Sequence, residues 1–95
     1  MNLPKQIKVQ DFLRKVGQFA KKNFGSYEIR EGKGSSLKIE FFYDHQDYRA
    51  FEPALVLRIY EKDCVSRDCL RNIMKDFDKA GLGNLKEELL KLLNN

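Results

Sequence analysis

Two groups of residues in this chain have the types and spacing to do chemistry on a phosphate. The first is the run Gly32-Lys33-Gly34-Ser35-Ser36, which combines a cation with backbone freedom, so a phosphate could approach the main chain closely. The second is Arg67, Arg71, Lys75 and Lys79, which recur every four residues and would form one slowly drifting basic ridge on a helix. Such a ridge, with the helix's own N-terminus, can engage phosphates across a groove of double-stranded RNA. Each feature alone has a plainer reading, a hairpin turn and a solvated helix face. The turn is not a Walker motif, because no Lys-Ser/Thr pair follows its last glycine into a helix.

The other candidates carry less. His45 is the single histidine, and flanking Asp44 and Asp47 would favour its charged form, so it is the one imidazole that could act as a base. Its ordinary reading is a solvent-exposed loop residue. Cys64 and Cys69 with one distant histidine are too few for a structural zinc site, and no nucleophile signature surrounds them; they read as structural thiols. Asp44, Asp47, Glu52, Glu61 and Asp63 read as turn formers without metal-ligand spacing, so the sequence implies no metal and no cofactor. Tyr43, Tyr48, Phe51 and Tyr60 could stack bases, yet aromatics bordering a small sheet more often belong to the core or its lid.

The elements that must position these residues follow from periodicity. Val9, Phe12, Leu13, Val16, Phe19 and Ala20 recur at helical spacing, and Gly25 stops the helix. Tyr27, Ile29 and Arg30 fall in a short alternating segment; Leu37, Ile39 and Phe41 alternate with Lys38 and Glu40; 55–60 is apolar and partly β-branched. The 32–36 turn would join the first two strands, and 44–53 is longer than a tight hairpin needs. Ser66 suits the N-cap of a helix whose stripe is Leu70, Ile73, Met74, Phe77 and Ala80, ended by Gly81. Asn84 and Glu87 stand at capping-box spacing before a leucine-rich last helix, whose Leu89, Leu90, Leu92 and Leu93 look more than one face can bury.

The fold expected is α+β: one domain, 1–95, in the order α-β-β-β-α, a three-stranded antiparallel sheet with helices on one face. A short C-terminal helix, within 82–95, extends it. A net charge of +4 over 95 residues permits a phosphate-bearing partner without demanding one, and 42% hydrophobic with 12% aromatic residues can build a core. No apolar run is long enough to span a membrane and 1–8 holds no signal-peptide core, so a cytoplasmic protein is expected. The oligomeric state is not legible.

These residues carry a family resemblance. The chain resembles the HicA (YcfA-like) mRNA interferase toxins of bacterial toxin–antitoxin pairs, small endoribonucleases on a double-stranded-RNA-binding-like fold. Lys33-Gly34-Ser35-Ser36-Leu37 resembles the family's Gly-Ser-His region opening the second strand. Leu70-Arg71-Asn72-Ile73-Met74-Lys75 and Ala80-Gly81-Leu82 resemble its last helix, with extra residues between. The resemblance implies an RNA partner, double-stranded or structured, and an antitoxin protein. It implies RNA contacts at Lys33, Gly34, Ser35, Arg67, Arg71 and Lys75. The motif histidine, however, falls on Ser36, whose hydroxyl cannot exchange a proton near neutrality as imidazole does. The expectation is therefore RNA binding with ribonuclease activity lost, or relocated to another base such as His45. A protein-interaction module built on the leucine-rich tail is the alternative.

Overall fold

The computed structural model describes residues 3–34, 36–43, 52–60 and 63–95. Ser35, Asp44, His45, Asp47, Tyr48, Phe51 and Glu61 lie outside the described residues. The elements in chain order are β1 (Gln6–Lys8), α1 (Val9–Asn23), β2 (Ser26–Glu31), β3 (Leu37–Phe42), β4 (Leu55–Ile59), β5 (Cys64–Ser66), α2 (Arg67–Lys79) and α3 (Lys86–Leu93). A single 3-10 turn, Gly83–Leu85, precedes α3.

β2, β3 and β4 form the expected antiparallel meander, β3 in the centre, with Ile29 opposite Ile39 and Ile39 opposite Leu57. Alternation sends Ile39, Phe41, Leu55, Leu57 and Ile59 to one face, where they are buried against Phe12, Val16 and Phe19 of α1 and Leu70, Ile73 and Phe77 of α2. All three helices contribute to that single core. Phe19 lies at its centre, with ring centroids 6.0, 5.9 and 5.7 Å from those of Phe24, Phe41 and Phe77. Tilted and edge-on aromatic contacts of this kind favour packing beyond the area they bury.

The tail leucines belong to this core. Leu89, Leu90 and Leu93 are buried in the same cluster and Leu92 packs against it. α3 lies antiparallel to α1: Lys22 Nζ reaches Glu88 Oε2 at 3.2 Å, while Lys15 Nζ donates to the Asn95 carbonyl at 2.7 Å. One helix face does bury them, which removes the feature that favoured an exposed leucine-rich interface. The capping box also does not form. The 3-10 turn runs into α3, Leu85 caps it without a side-chain hydrogen bond, and Lys86 pairs with Asp78 instead.

A second sheet, absent from the sequence reading, pairs β1 with β5, Ile7 opposite Val65. Each strand runs directly into a helix, and each helix's first N–H is satisfied by the opposite arm. Val9 N–H donates to the Asp63 carbonyl at 3.0 Å and Arg67 N–H to the Lys5 carbonyl at 3.1 Å. This replaces a side-chain cap at α1, where Lys8 supplies none, and supplements Ser66 at α2, whose side chain accepts from Cys69 N–H at 3.2 Å. Cys64 and Cys69 are both free thiols.

Candidate functional site: a cationic groove between β4 and α2

α2 lies beside β4 and runs antiparallel to it. Cys69 Sγ, near the start of α2, is 3.9 Å from the Arg58 carbonyl near the end of β4. Lys79 and Ala80, at the far end, line a cavity with Pro53 and Ala54. The amphipathic stripe fixes this placement, because burying Cys69, Leu70, Ile73, Met74 and Phe77 turns Arg67, Arg71, Lys75 and Lys79 to solvent.

Between the two elements runs a groove. One stretch, of about 220 Å³, is lined by Arg58, Tyr60, Asn72, Lys75, Asp76 and Lys79. A neighbouring stretch of about 270 Å³ shares Arg58, Asp76 and Lys79 and continues along the β4 edge. Three cations thus meet one carboxylate in a concave strip. Tyr60 borders the strip and is 63% exposed, so it is neither core nor lid as its neighbourhood suggested. Arg58 belongs to no pattern in the sequence, and Tyr60 is there only one of four aromatics able to stack a base; the two join Lys75 and Lys79 only through the placement of α2 on the strand edge.

The Asp76 carboxyl is held above the usual carboxylate range because burial in the groove penalises its charge, a rise partly offset by Lys79 and Arg58. The folded chain therefore holds this proton more tightly than the unfolded chain. Stability from the group is greatest below the unfolded-state value and falls as pH rises towards the folded-state value. Asp76→Asn is accordingly expected to raise the thermal midpoint at neutral pH. The gain over wild type should shrink as pH is lowered through the carboxylate range, which a melting series across pH checks.

The remaining sequence candidates divide between two places. Arg67 and Arg71 continue the cationic flank towards the start of α2, with Arg71 NH1 held 2.5 Å from Asp68 Oδ1. Lys33 and Gly34 lie in the β2–β3 turn. Leu37 is opposite Ile59, so this turn projects from the end of the sheet at which β4 finishes and α2 starts. Lys33 is exposed, and Gly34 adopts φ of 69°, the left-handed region that favours glycine.

Ser36 has a structural role in that turn. Its hydroxyl donates to the Lys33 carbonyl at 2.9 Å, and its own carbonyl accepts from Gly32 N–H at 2.9 Å. A Cβ added to Gly32 would collide with Ser36 Oγ, so the glycine makes room for the hydroxyl. The hydroxyl's one proton is thus used to close the turn.

The other face of the sheet carries a separate ionic cluster. Arg30 NH2 lies 3.0 Å from Glu28 Oε2, Arg30 Nε 2.8 Å from Glu40 Oε1, and Lys38 Nζ 3.8 Å from Glu40 Oε2. Glu40 is buried, and its carboxylate is held between Arg30 and Lys38 by close charge–charge contacts. Glu28 and then Glu40 hold the Arg30 guanidinium above its ordinary value.

Comparison with family models, with curated proteins and with solved structures finds no match for this chain. Among the described residues, no helix is long and apolar enough to cross a membrane.

Proposed function

We propose that this chain is an RNA-binding protein that takes the backbone of a double-stranded or structured RNA along the groove between β4 and α2. Arg58, Lys75 and Lys79 hold phosphate oxygens, Tyr60 offers its ring to a ribose or an unpaired base, and Arg67 and Arg71 extend the contact along α2. Lys33 and the Gly34 backbone reach a second phosphate from the turn at the same end of the sheet. The observation that carries the reading is the convergence of three cations and an exposed tyrosine in one groove.

The double-stranded-RNA-binding-like topology and the kinship with HicA toxins belong to the same proposal. Their support is the helix, three antiparallel strands, helix order with all helices on one face. The hydroxyl at the motif-histidine position serves the turn, so the chain binds RNA without cleaving it through that residue. A cytoplasmic setting keeps both thiols reduced, and an antitoxin-type protein partner would compete with RNA for the groove.

Titration with a short RNA duplex over a salt series tests the reading. Wild type should bind at low salt and lose affinity linearly in log–log form. Arg58→Ala, Lys75→Ala and Lys79→Ala combined should weaken binding by about tenfold or more and flatten the slope, each lost phosphate contact removing about 0.7–0.9. No binding at low salt, or an unchanged slope in the triple variant, refutes it. Cleavage of structured RNA by wild type but not by His45→Ala would establish the ribonuclease alternative.

A further inference from the structure

The two edges of the three-stranded sheet differ. At β4 the outward Arg58 carbonyl is met by Cys69 Sγ from α2. At β2 the strand pairs with β3 alone among the described residues. Gly32 N–H donates to the Ser36 carbonyl, which makes the even-numbered positions of β2 the hydrogen-bonded partners of β3. The N–H and C=O groups of Tyr27, Ile29 and Glu31 therefore point outward along the open edge. The side chains of Tyr27 and Ile29 are 37% and 43% exposed on the helix side of the sheet. β2 is six residues long and carries none of the prolines or bulges that blunt such edges.

We infer that β2 is a dimerisation edge, pairing antiparallel with β2 of a second copy of this chain about a two-fold axis at Ile29. In that register Ile29 faces its own copy, and Tyr27 and Glu31 exchange both backbone hydrogen bonds with each other across the axis. Glu28 then stands opposite Arg30 of the second copy, twice, at the closely spaced non-hydrogen-bonded positions. Shifting the register by two residues either way brings Glu28 against Glu28 or Arg30 against Arg30. The charge pattern thus selects one self-complementary register, and the edge backbone groups have the alternation that register needs. A single strand on each side buries a small area, so the dimer is concentration-dependent.

Sedimentation equilibrium from low micromolar to about 1 mM chain tests this, read with amide exchange at Tyr27, Ile29 and Glu31. Wild type should dimerise in this range, with those three amides slowing as concentration rises. Glu28→Arg should weaken association by about tenfold or more, since it turns both attractive cross-strand pairs into repulsive ones. Its own fold should tolerate the change, because Glu28 stands opposite Glu40 within the sheet. Mixing Glu28→Arg with Arg30→Glu should restore pairing between the two variants. Should Arg30→Glu fail to fold beside Glu40, Glu28→Arg and the amide exchange remain decisive. A wild type that stays monomeric throughout, or a dimer that Glu28→Arg leaves intact, overturns the inference.

Discussion

Ending the chain after residue 85 is expected to abolish the cooperative thermal transition. Of the four leucines lost with α3, Leu89, Leu90 and Leu93 are at most 5% exposed and lie in the same cluster as Phe12 and Phe77, and Leu92 packs against it. Each deletion of a buried leucine side chain costs about 2–5 kcal/mol, and a domain of this size has about 5–15 kcal/mol in all. The single variant Leu89→Ala separates this from a defect of expression. It should remain folded at low temperature and melt about 8 °C or more below wild type, at 4–8 °C per kcal/mol for a small domain. A truncated chain with a sharp transition near the wild-type midpoint would return the tail to the role of a docking helix.

Phe19→Ala should be the most damaging single truncation in α1. Its ring is fully buried and meets Phe24 beyond the helix, Phe41 on the central strand and Phe77 on α2. The expected loss is about 3–5 kcal/mol from transfer and cavity terms together, measured as a shift in denaturant midpoint. Phe19→Leu should lose less, because most of the volume stays filled. Equal losses for both variants would mean that the aromatic edge contacts, rather than volume, dominate at this position.

The sequence disclosed what local chemistry specifies. α1 and α2 announce themselves by long apolar stripes, and their stops are visible in Gly25 and Gly81, the latter at φ of 74°. Ser66 caps α2 through the hydrogen bond its position suggested. β1 and β5 escaped notice because three residues carry no period, and their reason for being strands is each other, across the length of the domain. The capping-box spacing at Asn84 and Glu87 misled because a 3-10 turn takes the residues that the box needs.

The candidate site was legible in one half only. Lys75 and Lys79 stood out by their spacing along one helix. Arg58 and Tyr60 sit on a different element, and only the lateral distance between a strand edge and a helix decides that they share a groove. Ser36 stands where the resemblance puts a catalytic histidine, and its hydrogen bond to the Lys33 carbonyl, with Gly32 making room for the hydroxyl, makes it part of the turn.

The ribbon of β1 and β5 also sets an order on the chain's birth. Synthesis delivers residues 6–8 early, yet among the described residues their only strand partner is Cys64–Ser66. The start of α1 must therefore wait, its first N–H unsatisfied by protein, until the sheet and the run into α2 have left the ribosome. Residues 6–8 can therefore take their place only after Cys64–Ser66 exists to pair with them.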